Sequence, residues 1–189
     1  MQSIQTIFER QQVGKKFLAV PVINTECQWV FKGEGTPTIK WDGSACLFKD
    51  GVFYKRHRLK NGKKMPAGWR HHTFDIDQVS GHGWVPVLDT PDSQYHLEAF
   101  RKTELKNGKT YELVGPMLQK NPYELREHEL WEHGTAKVTD LTSRNFVDLE
   151  VWMHSHHHEG IVWHHPDGRM AKLKKRDFDI PWPEKKEKS

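Results

Sequence analysis

A lysine precedes a turn in residues 38–43, where the sequence reads Thr-Ile-Lys-Trp-Asp-Gly. A lysine amine is a nucleophile only after it has lost its proton, so a nucleophilic lysine needs neighbouring cations or burial to lower its pKa. Asp42 and Gly43 are typical turn residues, which favours Lys40 at the end of a strand. The same spacing is also typical of a surface lysine before a turn, so the remaining sequence has to distinguish these interpretations.

Four further stretches place charged residues beside a short apolar run and a glycine or turn. They are residues 54–58, 111–115, 159–163 and 171–174. In the last stretch Lys172 and Lys174 are two positions apart, so in a strand both point to one face while Leu173 points to the other. Two neighbouring ammonium groups repel each other. The pattern therefore predicts an anion between them, and a phosphate would serve.

In this order the stretches resemble the nucleotidyl motifs of the covalent nucleotidyltransferases, which comprise ATP-dependent RNA and DNA ligases and mRNA capping enzymes. The resemblance covers roughly residues 34–176. The segments 111–115, 121–123 and 133–134 are most similar to a small group of RNA ligases with relatives in bacteria, phages and vertebrates. The residues that carry the match are Lys40-Trp41-Asp42-Gly43, Arg56, Glu112 before Gly115, Glu159-Gly160 and Lys172-Leu173-Lys174.

The resemblance implies that Lys40 attacks the α-phosphate of ATP, releases pyrophosphate and holds AMP through a phosphoramidate. It also implies that Lys172 and Lys174 contact this phosphate. As neighbouring cations they would stabilise its charge and favour the neutral amine of Lys40. The catalytic residues expected from the resemblance are therefore these three lysines.

The resemblance gives the remaining motif residues to the nucleotide and its metal. Glu112 would accept hydrogen bonds from the ribose hydroxyls, and Glu159 would help to hold Mg²⁺ or Mn²⁺, since hard carboxylate oxygens suit such ions. Arg56 would bind phosphate or ribose, with Arg58 as the alternative for the same position. The residue that reads adenine stays open, because Ile39 stands where many RNA ligases have an acidic residue. Trp131 or Trp163 could stack on the base, although core packing explains a tryptophan more often.

The activity implied is that of an ATP-dependent RNA ligase, which adenylates an RNA 5′-phosphate and joins it to a 3′-hydroxyl. Alternatives are a nick-sealing DNA ligase, another AMP transferase, or an inactive relative that only binds nucleic acid. With about fifteen residues after Lys174 in the sequence, we expect no OB-fold domain of the kind that DNA ligases and capping enzymes carry there. The basic residues in the segment 56–70 would then hold the RNA by charge.

Histidines are concentrated between positions 154 and 165, and imidazole is a ligand for zinc or nickel. No cysteine or regularly spaced partner completes a tetrahedral set, so solvent-facing or RNA-facing histidines are the preferred interpretation. The histidines of this segment are His154, His156, His157, His158, His164 and His165.

The composition is that of a mildly basic globular protein. Its 189 residues carry a formal charge of +4, and eight Trp and nine Phe provide a core although only 35% of residues are apolar. A basic protein favours a polyanionic partner. Two cysteines are too few for a disulfide framework, and a buried free thiol is expected at Cys46. Without a secretion signal or a membrane-spanning run, we expect a cytoplasmic monomer that does not bind membranes.

The elements that must position these residues follow from apolar alternation and turn signals. Together they predict one α+β domain built on antiparallel sheets. The resemblance implies that this domain has the nucleotidyltransferase (ligase adenylation-domain) fold, with helices flanking the sheets and no OB-fold domain. It would span residues 1–180, followed by a charged tail at 181–189 of which 184–189 are disordered. No second core is visible. Strands are predicted at 17–23 (an edge strand broken by Pro21), 36–40, 44–48, 52–58, 110–114, 160–164 and 170–174.

The remaining predictions concern the connections between these strands. The strands from 36 to 58 would form a meander with Lys40 at its first corner, and residues 60–84 a long irregular segment. A helix is predicted at 93–105 with Ser93 as its cap, ended by Asn107-Gly108. A second helix is predicted around residues 146–153, with Thr142 or Ser143 as its cap.

Overall fold

The computed structural model describes residues 4–72 and 81–183. Within these ranges three α-helices are present, α1 (Gln28–Phe31), α2 (Gln94–Phe100) and α3 (Phe146–Ser155), with short 3₁₀ turns at Thr25–Cys27, Pro91–Ser93 and Lys175–Phe178. The twelve strands of the same ranges are β1 (Gln5–Thr6), β2 (Phe8–Val13), β3 (Lys16–Ile23), β4 (Thr36–Lys40), β5 (Ser44–Lys49), β6 (Val52–Leu59), β7 (Arg70–His71), β8 (Gly81–Pro86), β9 (Lys109–Val114), β10 (Glu129–Glu132), β11 (Gly160–His164) and β12 (Met170–Lys174).

The chain divides into two compact units, which we name by their position in the sequence. The central unit takes in residues 42–133 and holds a six-stranded sheet of spatial order β10-β9-β5-β6-β8-β7. The terminal unit takes in residues 4–41 and 134–183, and holds a four-stranded sheet of order β1-β12-β11-β4 and the hairpin β2-β3. Neighbouring strands are antiparallel except for β1 and β12. The α+β class with antiparallel sheets is confirmed, and the single domain over residues 1–180 stays a prediction.

Six predicted strands are confirmed to within one residue at each end, namely β4, β5, β6, β9, β11 and β12. The predicted turn at residues 49–51 is also present. Asp50 and Gly51 there have φ angles of 51° and 78°. A two-residue hairpin needs positive φ at both central positions, which Asp-Gly provides at little steric cost. The local signals around this turn were therefore sufficient to predict the hairpin.

The predicted meander from residue 36 to residue 58 is wrong, because β4 and β5 lie in different sheets. β4 pairs with β11, whereas β5 pairs with β6 and β9. Gly43 allows the chain to enter β5 beside β9, since a Cβ built on Gly43 would lie 2.1 Å from the carbonyl oxygen of Leu113. The Asp-Gly pair at 42–43 therefore begins a change of sheet and not a hairpin.

The predicted irregular segment at 60–84 is wrong where it includes β7 and the start of β8, which pair with each other. Gly83 lies inside β8, where a Cβ would come within 2.3 Å of the Arg70 carbonyl oxygen. Glycine at this position therefore permits close strand pairing and does not break the strand. Residues 73–80 of this segment, and the tail at 184–189, lie outside the described residues.

The first predicted helix is too long, because α2 ends at Phe100 instead of residue 105. Just beyond its end, the Thr103 hydroxyl donates to the Ala99 carbonyl at 2.9 Å. Such side-chain bonds compete with continuation of a helix. Ser93 occupies the N-cap position of α2 as predicted, but its side chain makes no capping hydrogen bond.

The cap predicted for the second helix is also wrong. Asn145, and not Thr142 or Ser143, caps α3 by accepting a 2.8 Å bond from the Asp148 backbone N–H. Ser143 instead accepts a bond from the Asn145 backbone N–H. The capping signal was thus read two or three residues too early.

Three strand features also differ from the sequence prediction. β3 runs through Pro21 without a break, and its predicted edge position is confirmed because its sheet has two strands. Proline is tolerated there since an edge strand does not need every N–H. β2 and β10 were not predicted.

Apolar side chains form separate clusters in the two units, so the expectation of no second core is wrong. The terminal unit packs α1, α3, β11 and β12 around Trp29, Leu149 and Trp163. In the central unit one cluster places α2 against β5 and β9, with Ala99, Cys46 and Leu113 buried. Cys46 is a free buried thiol as predicted.

Candidate functional site

Three strands of the terminal unit bring predicted site residues into one row. Gly160 of β11 pairs with Lys40 of β4 on one side and with Lys174 of β12 on the other. Side chains of directly paired residues point to the same face of an antiparallel sheet. Lys172 lies two positions before Lys174 and therefore shares this face. Strand register alone thus collects the three lysines.

The opposite face of the same strands is apolar. Ile39, Ile161 and Leu173 form the adjacent row, and the last two are fully buried in the core of the terminal unit. The alternation predicted from residues 172–174 is confirmed. Burial of the apolar row fixes which face of the sheet carries the lysines, because a one-residue slip would place the ammonium groups in the core.

Glu159 lies directly before β11 and pairs with two of the lysines. Its Oε2 atom accepts from the Lys40 ammonium group, and its Oε1 atom lies 3.2 Å from Lys174 Nζ. The side chains of Lys40, Glu159 and Lys174 are only 21%, 11% and 10% exposed. One carboxylate is therefore shared by two poorly hydrated ammonium groups, which leaves net positive charge on this face.

This arrangement lowers the pKa values of Lys172 and Lys174. Burial, followed by repulsion from Lys174 and Lys40, lowers the pKa of Lys172 to about 8. Burial also lowers the pKa of Lys174, although the charge of Glu159 opposes this effect. Desolvation and like charges both disfavour the protonated amine. An anion bound on this face would relieve part of the repulsion.

The end of β12 is held by the turn that follows it. Asp177 accepts a 2.9 Å bond from the backbone N–H of Lys174, and Arg10 approaches the same carboxylate at 3.9 Å. Burial raises the pKa of Asp177. This acid supports the backbone from which Lys174 projects.

Glu112 belongs to the central unit, where it lies on β9. His133 Nε2 is 2.7 Å from Glu112 Oε2, and His133 Nδ1 is 3.0 Å from the Thr110 hydroxyl. The backbone N–H of His133 also donates to the Thr110 carbonyl. Sequence reasoning gave His133 no role. The register of β10 with β9 places His133 there, because pairing of Glu132 with Tyr111 brings the next residue beside Thr110. No local sequence signal gives this register.

Arg56 and Arg58 lie two positions apart on β6 in the central unit, and both are exposed. Arg56 is exposed as a residue, but neighbouring atoms displace part of the water around its guanidinium. This desolvation lowers the pKa of Arg56, while the charge of Glu112 acts in the opposite direction. Arg56 therefore lies within the electrostatic reach of Glu112. Arg58 pairs across the sheet with His82, whose pKa is lowered by burial and then by Arg56 and Arg58.

The donor set for a divalent cation is small. In the described residues no group of three or more His, Cys, Asp and Glu side chains could hold a metal ion. The sheet face that carries Lys40, Lys172 and Lys174 is called the lysine face below. Glu159 is a single hard carboxylate on this face, which fits an ion of the Mg²⁺ type that keeps waters and takes phosphate oxygens as further ligands. His156 in the histidine run pairs with Asp140 at 2.7 Å and stacks on Trp152.

The two tryptophans considered for adenine differ in their surroundings. Trp163 is fully buried in the core of the terminal unit, so it packs and is not available for stacking. Trp131 is partly exposed, lies 5.0 Å from the ring of Tyr123, and donates its indole N–H to Glu129. Its stacking on adenine stays a prediction.

The predicted site residues thus form two groups. Lys40, Glu159 and Lys174 are in contact, and Lys172 shares their face, all within the terminal unit. The residues Glu112, Arg56 and Arg58 belong to the central unit.

Comparison with known proteins gives consistent matches to one family. The family model described as RNA ligase 1 matches residues 87–188, just over half of the chain. RNA ligase 1 of Rattus norvegicus is 34% identical over 154 residues, which cover 68% of this chain and 47% of that protein. RNA ligase 1 of Pongo abelii is 35% identical over 82 residues, which cover 39% of this chain and 25% of that protein. RNA ligase 1 of Danio rerio is 30% identical over the same length.

The matched part of the chain covers less than half the length of each of these relatives. The matched residues 87–188 include Glu112, His133, Glu159, Lys172 and Lys174. No helix in the described part of the chain is long and apolar enough to cross a membrane. The family match covers more than half of the sequence and extends over both units, so the chain belongs to the RNA ligase 1 family.

Proposed function

We propose that this chain is the adenylyltransferase domain of an ATP-dependent RNA ligase with a nucleotidyltransferase fold. Membership of the RNA ligase 1 family and the lysine face of the terminal unit support the proposal. The observation that carries it is the row formed by Lys40, Gly160 and Lys174, with Glu159 bonded to both lysines. A positively charged, poorly hydrated face suits a reaction whose transition state is negatively charged.

In the first step the Lys40 amine attacks the α-phosphorus of ATP. An N–P bond forms, the bond between the α-phosphorus and the bridging oxygen breaks, pyrophosphate leaves, and the proton lost from Nζ passes to water. Lys172 and Lys174 supply positive charge on the face where phosphate oxygens accumulate negative charge. Burial and their mutual repulsion lower the pKa of Lys172, and the repulsion is relieved when the phosphate binds.

Glu159 releases Lys40 when the phosphate takes over the charge pairing, and it is our candidate ligand for Mg²⁺ or Mn²⁺. Such an ion, when bound, neutralises charge on the phosphates of ATP. We assign the ribose hydroxyls to Glu112. Phosphate or ribose is assigned to Arg56, with Arg58 as the alternative.

In the later steps AMP passes from Lys40 to an RNA 5′-phosphate, which forms a P–O–P linkage and breaks the N–P bond. A 3′-hydroxyl oxygen then attacks the activated 5′-phosphorus, forms the phosphodiester and releases AMP. Neither step requires a nucleophile other than Lys40 and the RNA ends. The protein contributes positioning and charge stabilisation.

The first test is covalent labelling with α-³²P-ATP and Mg²⁺, followed by denaturing electrophoresis and mass spectrometry of the labelled peptide. We expect a label on Lys40 that is absent from Lys40→Ala. Lys16→Ala is the matched control, because Lys16 is an exposed lysine of the same unit that pairs with Asp179. Absence of label in the wild type, or its persistence in Lys40→Ala, would contradict the mechanism.

A second test uses strands of defined ends to identify the acceptor. We expect joining of RNA that carries a 5′-phosphate and a 3′-hydroxyl, and no joining when the phosphate is removed. Sealing of nicked DNA without any joining of RNA would overturn the RNA assignment. Transfer of AMP to neither nucleic acid would do the same.

A further inference from the structure

We propose that His133 is a positioning residue that orients the Glu112 carboxylate toward the ribose of ATP. This inference rests on the proposed function, because it concerns the ribose-binding role of Glu112. The carboxylate and the imidazole both belong to the central unit, and their atoms Oε2 and Nε2 are 2.7 Å apart. A distance of this size corresponds to a strong hydrogen bond between an N–H and a carboxylate.

Two further bonds fix the imidazole itself. Its Nδ1 atom lies 3.0 Å from the Thr110 hydroxyl, and the His133 backbone N–H donates to the Thr110 carbonyl. A hydroxyl can donate to an unprotonated Nδ1, which leaves the proton of a neutral imidazole on Nε2, facing Glu112. Thr110 thus favours the tautomer that donates to the carboxylate. Thr110 and Glu112 lie on one face of β9, since they are two positions apart in the strand.

The two oxygens of the Glu112 carboxylate have different hydrogen-bonding roles. In the described part of the chain, hydrogen bonding to the Glu112 side chain is confined to Oε2. The Oε1 atom is thereby the acceptor that remains for a hydroxyl of the nucleoside. Holding one oxygen fixes the rotation of the carboxylate about its last bond, so its orientation is set before ATP binds.

Burial distinguishes this pair from the other histidine–carboxylate pairs. The Glu112 side chain is 12% exposed, whereas Glu98 and Asp140, which also lie 2.7 Å from a histidine nitrogen, are 37% and 58% exposed. Water competes strongly for an exposed carboxylate and little for a buried one. Loss of His133 would therefore leave a carboxylate that lacks both its bond and most of its water.

The experiment measures the initial rate of Lys40 labelling as a function of concentration for ATP, 2′-deoxyATP and 3′-deoxyATP. The variants are His133→Ala, His133→Gln and His133→Asn. His156→Gln is the matched control, because His156 Nε2 also lies 2.7 Å from a carboxylate oxygen but belongs to the terminal unit. Circular dichroism and a thermal melt show whether each variant is folded.

We expect the wild type to prefer ATP over at least one deoxy analogue by roughly tenfold in kcat/KM, the size of one hydrogen bond to a charged group. In His133→Ala this ratio falls toward one, mainly because KM for ATP rises while the values for the poorer analogue change little. Glutamine places its amide near the position of Nε2, so His133→Gln restores part of the ratio and His133→Asn does not. The control keeps the wild-type ratio.

The inference fails if folded His133→Ala keeps the wild-type ratio, or if it slows all three nucleotides equally. A wild type that labels Lys40 without any preference for ATP over either analogue also overturns it, because Glu112 would then read no hydroxyl. These outcomes differ from failure of the proposed function, in which the wild type forms no label with ATP at all.

Discussion

The lysine face of the terminal unit and the Glu112–His133 pair of the central unit reach opposite electrostatic states. On the lysine face one carboxylate serves two ammonium groups, and Lys172 has its pKa lowered to about 8 by burial and by the other lysines. In the central unit each polar group of the pair has a hydrogen-bonding neighbour, and Thr110 completes the chain. The first arrangement is strained without an anion, whereas the second is satisfied as it stands.

The difference shows what each region contributes to function. A strained cationic face should gain stability when an anion binds, which is why we propose it as the phosphate-binding side of the site. The Glu112–His133 pair needs no ligand to balance its charge, and its remaining acceptor is oriented in advance. The comparison therefore predicts that equivalent substitutions in the two regions change stability by different amounts and in different directions.

The largest expected change is a loss of stability on Glu159→Gln. The substitution leaves Lys40 and Lys174 without their shared carboxylate in a poorly hydrated site, so we expect a loss of roughly 2 kcal/mol in the free energy of unfolding. Urea denaturation at pH 7 measures it. Added inorganic phosphate or pyrophosphate should restore more stability to this variant than to the wild type, since an anion replaces the lost charge.

Asp179→Asn is the control for this substitution. Asp179 pairs with Lys16 at 2.5 Å in the same unit, but both side chains are more than half exposed. Asparagine also tolerates the positive φ of 61° at this position. An exposed pair contributes little. If the two variants lost equal stability, burial of the Glu159 cluster would not be what makes its carboxylate important.

The second expected change is a gain in the free energy of unfolding, because Lys172→Met removes a cation that its neighbours repel. Below pH 8 the lysine is charged in both the folded and the unfolded chain, so its cost is fully present and the variant is expected to be more stable by roughly 1–3 kcal/mol at pH 7. Between pH values of about 8 and 10.5, Lys172 has released its proton in the folded chain but keeps it in the unfolded chain. The wild type gains stability with pH in this window.

The measurement is the difference in unfolding free energy between Lys172→Met and the wild type at several pH values. This difference should narrow steadily above pH 8. A difference that stays constant with pH would mean that the methionine acts by packing alone. A less stable variant at pH 7 would contradict the strained state of the lysine face. Adenylation of Lys40 should fall in the variant in either case, because a phosphate contact is lost.

The same two regions show what could be predicted from sequence. Local period-two alternation predicted β12 and the common face of Lys172 and Lys174, because neighbouring residues in a strand determine their own orientation. Pairing of β4 with β11 could not be read locally, since about 120 residues separate the partners. The Asp42-Gly43 signal favoured a hairpin instead, and only the close approach to Leu113 distinguishes a change of sheet.

In the central unit the position of His133 could not be predicted, because strand β10 was not predicted. Residues 129–132 alternate weakly, with Glu and Trp beside a single buried leucine, so β10 was not predicted. Without β10 nothing placed His133 beside Thr110 and Glu112. Family order identified Glu112, but the partner that orients it depends on register between two strands, which only the structure supplies.

The smallest expected change is that of Glu112→Gln, which repeats in the central unit the substitution made at Glu159. Glutamine keeps an acceptor oxygen for the His133 N–H, and the cation that the charge of Glu112 supports, Arg56, is exposed to solvent. We therefore expect the free energy of unfolding to change by about 0.5 kcal/mol or less, within the net value of one hydrogen bond. Parallel urea titrations of the two glutamine variants give the comparison directly. Equal losses would show that the two carboxylates are structurally equivalent, and the contrast between a strained face and a satisfied pair would be wrong.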